Sequence, residues 1–340
     1  MMKLAKAFKE IMISISRHTL GEDKTYDILI RRGIKVRHLE KYYFHKYENT
    51  KNNNKTTATN TQTLVFMADG KWMHGGLTDR LRGIASTWSF AKKHGLNFKI
   101  FHTSPFELDA ILKPNQIQWK IQESELDWNN SKPVLLYRED FDNEKALERQ
   151  LDSCHSQFHV YSCVDSVGAQ FPNLFNELFT PSDMLQDALA LYAKLEPKTY
   201  GAVSFRMQNL LGDFYEGNFD QLDSEYKKQE LVASAMKALD NIASRHPQWN
   251  YVLVTADSPA LLEEATKHDK VVSVSGKSVH IDFCKSKTEQ DYLKAFVEFM
   301  LISKAQKAYL YHNKKYNTYL SNFPKYAASL GAVPFEVESN

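Results

Sequence analysis

Lys71-Trp72-Met73-His74-Gly75-Gly76-Leu77-Thr78-Asp79-Arg80-Leu81-Arg82-Gly83-Ile84 decides how the rest of this chain is read. It follows an apolar run, Thr63 to Ala68, that reads as a buried strand, and it passes into a strongly periodic stretch. Leu77, Leu81, Ile84, Ala85 and Trp88 recur at helical spacing and form one apolar stripe. His74, Asp79, Arg80 and Arg82 gather where that helix begins. A strand, a paired-glycine turn and a polar helix start build a binding site at the C-terminal edge of a sheet, where free N–H groups of the helix face the crevice.

Outward from this stretch, strands and helices alternate. Thr63 to Ala68, Asn97 to His102, Pro133 to Tyr137 and Phe158 to Ser162 read as strands; Thr78 to His94, Asn143 to Leu151 and Ser182 to Leu195 read as helices. A second series starts at Gly201. Its strands are Ala202 to Arg206, Tyr251 to Thr255, Val271 to Val274, Ala308 to Tyr311 and Val333 to Val337. Its helices include the one marked by Leu231, Ala235, Leu239 and Ile242, then Pro259 to Lys267, Gln290 to Ser303 and Tyr326 to Leu330. Two such series predict two α/β domains with mostly parallel sheets. The Asn-, Lys- and Thr-rich run Glu48 to Thr63 reads as a linker. The expected division is a basic arm and linker over 1–62, a first α/β domain over 63–196 and a second over 197–340, with the boundary near Glu196-Pro197-Lys198.

The 340 residues suffice for two domains, and the net charge of +2 gives no global reason to bind nucleic acid. Basic excess is local: residues 1–60 hold 13 lysines and arginines against 6 acids. Such an arm is either solvated or drawn to an anionic membrane face. No run reaches the ~18 apolar residues of a spanning helix. Met1 to Leu20 lacks a signal-peptide pattern, and Cys154, Cys163 and Cys284 suggest no disulfide framework. These features predict a cytoplasmic protein, able to sit peripherally on the inner face of a membrane.

Three groups in the second series suit a phosphorylated ligand. Arg206 closes a buried strand, where a planar guanidinium can bind two phosphate oxygens or else hold a local salt bridge. Asp257-Ser258 follows the next strand and can accept from base or ribose donors, or cap the helix opening at Pro259. Ser321-Asn322-Phe323 precedes an Ala-rich helix whose start suits a phosphate. Competing motifs are weaker. Asp140-Phe141-Asp142 matches a metal-binding Asp-x-Asp. Cys154, His155, His159 and Cys163 could supply zinc ligands, although strand geometry separates them. Gly276-Lys277-Ser278 resembles the end of a P-loop that lacks its first glycine. The five tryptophans read as packing, with Trp72 the best placed to meet a sugar.

Gly75 to Gly83 resembles the Gly-x-(Gly)-Asp-Arg-x-Arg-Gly opening of fucosyltransferase-like GT-B glycosyltransferases, which include nodulation-type and α1,6 enzymes and protein O-fucosyltransferases. Val203 to Arg206 is similar to their strand ending in arginine, often His-x-Arg-Arg. Asp257-Ser258 resembles their Asp-Asp or Asp-Ser element. Tyr319 to Ala327 resembles their Ser-x-Phe-Ser element, with Pro324 in place of the last serine. The likeness runs in order over about 63–337, and the whole chain looks most like the sugar transferases of bacterial capsule and O-antigen (lipopolysaccharide) clusters.

The resemblance implies two Rossmann-like domains facing a cleft, a GDP-fucose or related donor, inversion at the anomeric carbon, no metal and no separate cofactor. The donor would be held by Arg206, Asp257, Ser258, Ser321, Asn322 and Phe323, with Gly75, Gly76 and Arg80 contributing. Arg206 would stabilise the departing diphosphate. Asp79 or His74 would take the proton of the acceptor, a glycan that can be lipid-linked, with Asp213 or Glu216 as further candidate bases. The alternatives are a non-catalytic nucleotide- or sugar-binding protein on the same fold, a metal-dependent transferase using Asp140 and Asp142, and a phosphate-handling enzyme resting on Ser275 to Ser278.

Overall fold

The computed structural model describes residues 11–12, 14–16, 18–21, 25, 39, 41–46, 61–136, 142–217, 219–284 and 288–340. Most of the arm expected over 1–62, together with Tyr137 and Asp140, lies outside the described residues. Beyond Gln62 the chain runs β1 (Thr63–Ala68), α1 (Leu77–His94), β2 (Asn97–His102), β3 (Leu112–Pro114), β4 (Ser131–Leu136), α2 (Asn143–Glu148) and β5 (Gln157–Ser162). It continues α3 (Phe171–Leu178), β6 (Phe179–Pro181), α4 (Asp183–Ala190), β7 (Gly201–Phe205), α5 (Glu225–Arg245), β8 (Val252–Ala256) and α6 (Pro259–Ala265). The last elements are β9 (Val271–Ser273), α7 (Gln290–Ile302), β10 (Lys307–His312), α8 (Phe323–Leu330) and β11 (Phe335–Ser339).

Two compact units result, and neither is one run of sequence. The first takes the described residues of Met1–His74 with Arg82–His102 and Trp119–Val167; the second takes Gly75–Leu81, Thr103–Gln118 and the described residues of Gly168–Asn340. A cut near Glu196 therefore does not separate them: residues 75–81, 103–118 and 168–196 pack with the later half. Sequence periodicity sees elements but not which sheet a connecting segment returns to.

The first unit holds a parallel sheet in the order β2-β1-β5-β4. Phe66 pairs with Ile100 on one side and Val160 on the other. Side chains alternate between faces. Val65 and Met67 join Phe101, Leu135 and Tyr161 on one face, closed by Leu39, Tyr43 and Trp128. On this face His159 is fully buried, and burial pushes its pKa down to about 3. The neutral ring accepts from the Tyr43 hydroxyl at Nδ1 (2.7 Å), and its Nε2–H donates to Gln157 Oε1 (3.0 Å). His155 pairs with Asp152 instead, and Cys154 is exposed.

On the opposite face α1 lies against the sheet at Gly83, where a Cβ would collide with the Ser162 carbonyl and crowd the Phe66 ring. Arg82 Nη2 donates to the Cys163 carbonyl (3.3 Å), and Ser86 Oγ donates to the Val164 carbonyl (3.2 Å). The helix is thus stitched to the chain leaving β5.

The second unit holds a parallel five-stranded sheet in the order β11-β10-β7-β8-β9. Counted in chain order within the unit, this is 5-4-1-2-3, the doubly wound arrangement, and the order reverses between β7 and β10. Val203, Phe205, Val254 and Ala256 share one face, covered by Leu231, Leu239 and Ile242 of α5 and Leu261 of α6. The intervening positions, Ser204 and Thr255, therefore face the other side, and Ser204 Oγ and Thr255 Oγ1 bond each other at 2.8 Å. The short antiparallel pair β3–β6 and helix α3 were not foreseen. Three-residue strands carry too little alternation to read. The helix expected over Ser182 to Leu195 ends at Ala190, and β11 lies two residues later than expected. Among the described residues no helix is long and apolar enough to cross a membrane.

Gly83→Ala should cost about 1–3 kcal/mol, because the methyl group meets a backbone carbonyl that cannot swing aside. Urea unfolding measures this; an unchanged midpoint would show that α1 can back away from β5.

Candidate functional site

At the C-terminal edge of the second unit's sheet, beside its switch point, lies a cavity of about 200 Å³. That is far more than the ~10–15 Å³ a single water needs. It is lined by the ends of β7 and β8, the first turn of α1, residues 277–281, one face of α7 and the start of α8. One buried lining atom, Thr78 Oγ1, has no hydrogen-bond partner among the described residues, and Glu298 Oε1 has only the Lys294 ammonium 3.6 Å away. A buried polar atom on a cavity wall is satisfied by whatever polar group fills the cavity, water or ligand.

Arg206 follows the end of β7 and is part of this lining. Its Nη1 donates to Asp257 Oδ2 (2.5 Å) and its Nη2 to Glu216 Oε2. The guanidinium carbon stands 5.1 Å from the centre of the buried Phe214 ring, within cation–π range. Asp257 is itself anchored: it accepts from the backbone N–H of Met207 (2.9 Å) and of Gln208 (2.7 Å). The turn after β7 thus wraps the carboxylate that orients the arginine, with Gln208 at a φ of 52°. Burial lifts both Asp257 and Glu216 above the usual carboxylate range, and Arg206 pulls them back. A guanidinium has five N–H donors. Two are spent on these carboxylates, and the side chain keeps 18% of its surface open. It is held, and it still has donors to offer.

Glu216 Oε1 faces His280 Nε2 at 3.5 Å. Burial, and then the Arg206 charge, push the His280 pKa down to about 4, so the ring is neutral at neutral pH. Its Nδ1 accepts from the Asp282 N–H (3.3 Å), which leaves the proton on Nε2, toward Glu216. Asp282 also accepts from the Gly75 N–H (2.6 Å) and from Arg80 Nη2 (2.5 Å). The Arg80–Asp282 pair is almost completely buried, each side chain 5% exposed. Removing either partner would strand a buried charge at a cost of about 3–5 kcal/mol. Asp79 Oδ2 accepts from the Gly76 N–H (3.1 Å), the N3-to-N-cap half of a capping box at the head of α1. Gly75 sits at a φ of 81°, and a Cβ there would collide with the Asp79 carboxylate.

Eight expected residues line the cavity: Gly76, Asp79, Arg206, Glu216, Asp257, Ser321, Asn322 and Phe323. Four others stand elsewhere for physical reasons. His74 belongs to the first unit, where its buried ring bonds the Ser162 carbonyl through Nδ1 (3.0 Å). Arg80 and Gly75 are committed to Asp282. Ser258 is fully buried; it caps α6 through the Leu261 N–H (3.2 Å) and donates to Asp213 Oδ2 (2.7 Å). Asp213 also accepts from the Ala260 N–H (3.0 Å), so this candidate base serves the helix start. Of the Asp-x-Asp motif, Asp142 caps α2 through the Lys145 N–H (3.0 Å).

Sequence reading missed Lys294 and Glu298. Lys294 Nζ donates to the carbonyls of Val274 (2.7 Å) and Gly276 (3.0 Å) and stands 3.6 Å from Glu298 Oε1. An i, i+4 Lys–Glu pair normally reads as a solvated helix face. Here Leu293, Phe296, Val297, Phe299, Leu301 and Ile302 surround it, so α7 is apolar all round and the pair must be buried. That was the available signal.

No family model matches the chain, and no curated protein is significantly similar to it. Solved structures share its fold. A single-residue variant of Arabidopsis thaliana FUT1 in complex with GDP superposes with a TM-score of 0.54 at 11% identity, covering 93% of this chain and 83% of that one. The fucosyltransferase NodZ from Bradyrhizobium gives 0.52 at 12% identity, covering 79% and 93%. A NodZ α1,6-fucosyltransferase crystal soaked with GDP-fucose gives 0.52 at 14% identity, covering 79% and 92%. The fold class is therefore that of GT-B fucosyltransferases, with two Rossmann-like parallel sheets.

Burial lifts the Glu298 carboxyl from 4.5 to about 7, with Lys294 opposing and Asp257 adding to the rise. Between those values the folded chain binds more protons than the unfolded one, so this residue's contribution to stability falls as pH rises through the window. Urea unfolding across it should show Glu298→Gln losing that slope. Parallel pH profiles of parent and variant would contradict the assignment.

Proposed function

We propose that this chain is an inverting, metal-independent glycosyltransferase that passes fucose or a related sugar from a GDP-sugar to a glycan of a surface polysaccharide. The reading rests chiefly on Arg206: a pre-oriented guanidinium with unspent donors, at the end of the central strand of a doubly wound sheet, in a ligand-sized cavity. The solved structures sharing the fold support it, since the names they carry are those of fucosyltransferases and of complexes with GDP or GDP-fucose.

The chemistry follows from charge. Transfer passes through an oxocarbenium-like state. The bond from the anomeric carbon to the diphosphate oxygen breaks, and its electron pair stays on that oxygen. The acceptor hydroxyl oxygen bonds the carbon from the opposite side, and its proton passes to a cavity carboxylate. Of the bases expected from sequence, Asp79 and Glu216 line the cavity, and Asp79 is the one we favour. Arg206 N–H groups, fixed before the reaction, stabilise the charge gathering on the leaving diphosphate, and no metal is required for it. Glu298 and the Ser204–Thr255 hydroxyl pair line the same cavity, and together their acceptors suit a nucleobase edge carrying adjacent N–H donors, which guanine has and uracil lacks in that form. The acceptor, on this reading, can be lipid-linked. The basic arm over 1–62 would then hold the chain at the cytoplasmic face of a membrane by attraction to anionic lipid.

A non-catalytic binder on the same fold is the second reading. The pairing of Arg206 with two carboxylates favours it, because a well-compensated arginine gives less to a transition state. Calorimetry with GDP and UDP, followed by GDP release from GDP-fucose over an acceptor panel, separates the readings. The parent should bind GDP in preference to UDP and release GDP. Arg206→Ala should weaken GDP binding by about 10- to 150-fold, the worth of one charge-assisted contact, and cut turnover by about 10²–10³. Arg206→Lys, which keeps the charge without the fork, should fall between. A parent that binds no nucleoside diphosphate would overturn the proposal; binding without turnover would favour the second reading.

A further inference from the structure

Three cations line the cavity among the described residues, Arg206, Lys277 and Lys294, against five carboxyl groups: Asp79, Glu216, Asp257, Asp291 and Glu298. A diphosphate is multiply negative, so its placement here raises a charge problem. Arg206 already faces two carboxylates. Lys294 spends its hydrogens on two backbone carbonyls and lies beside Glu298. Lys277 makes no hydrogen bond or ion pair among the described residues, and it is exposed at the cavity wall.

An exposed loop lysine needs no ligand to explain it. What sets this one apart is the fixing of the backbone on both sides of it. Before it, the Ser275 N–H donates to the Tyr192 hydroxyl (2.8 Å), and Lys294 clasps the carbonyls of Val274 and Gly276. After it, Ser278 Oγ donates to the Ala256 carbonyl (2.9 Å), at the end of β8. Gly276 turns the chain at a φ of 100°, with open space where a Cβ would stand, so glycine is there for the backbone conformation. The loop is therefore held at the sheet edge next to Asp257, while the lysine head remains uncommitted. A flexible stem on a fixed base is how lysine serves as a point charge for phosphate.

We propose that Lys277 is the second cation of the donor site: its ammonium group binds the diphosphate and shares with Arg206 the charge that builds when the sugar departs. This deepens the glycosyltransferase reading and rests on it.

Calorimetric titration of GDP and of guanosine into parent, Lys277→Ala and Lys277→Arg tests this. Lys277→Ala should bind GDP about tenfold to a hundredfold more weakly and guanosine as the parent does. Lys277→Arg should recover most of the GDP affinity. Thermal melts should coincide, because the side chain is exposed. GDP binding by Lys277→Ala equal to the parent's would overturn the inference and leave the donor site standing. Equal losses for GDP and guanosine would overturn it too, because the residue would then shape the loop. If the parent binds no nucleoside diphosphate, this inference falls together with the proposed function.

Discussion

The clamp on Arg206 is the constraint from which the rest of the site follows. A half-buried guanidinium gains from pairing, and a buried carboxylate must be satisfied. Asp257, at the end of β8, meets both demands by bonding Arg206 and two backbone N–H groups of the turn after β7. Two adjacent strand ends and one turn are thereby locked into one geometry. Glu216 and Phe214 reach back from the segment after that turn and hold the guanidinium from the other side. In a low-dielectric pocket such fixed donors act on developing charge without having to reorganise during the reaction. That clamp, rather than the mere presence of an arginine, is what the fold contributes.

The stretch that best reveals the fold in the sequence does mostly mechanical work in the structure. Gly75 turns the chain and makes room for Asp79; Asp79 caps α1; Arg80 buries its charge against Asp282. Arg82 and Gly83 then fit α1 against the chain leaving β5. Such a motif looks catalytic because its residues are charged. Its spacing is dictated by helix capping and close backbone approach. Asp282 ties this turn to the loop that carries His280 and, three residues before that histidine, Lys277.

The alternation of strands and helices was legible because buried parallel strands are continuous apolar runs and α1 and α5 carry clear stripes. Arg206, Asp257 and Ser321 were legible because strand ends and helix starts converge on one edge of such a sheet. The return of 103–118 and 168–196 to the second unit was not, since contact partners distant in sequence leave no local trace. Nor was the difference between His74, buried on a carbonyl, and Asp79, facing the cavity. Both look alike as polar residues near a glycine pair. Ser258, which the sequence offers both as a ligand group and as a cap before Pro259, caps α6 in the structure. Glu298 could have been found from the apolar residues around it.

The most direct test of the account is a crystal structure of the chain with GDP. It should show the nucleotide in the second unit's cavity, with Arg206 still bonded to Asp257 and with its remaining N–H groups about 2.7–2.9 Å from diphosphate oxygens. A diphosphate bound elsewhere, with the Arg206 guanidinium touching only Asp257 and Glu216, would contradict it.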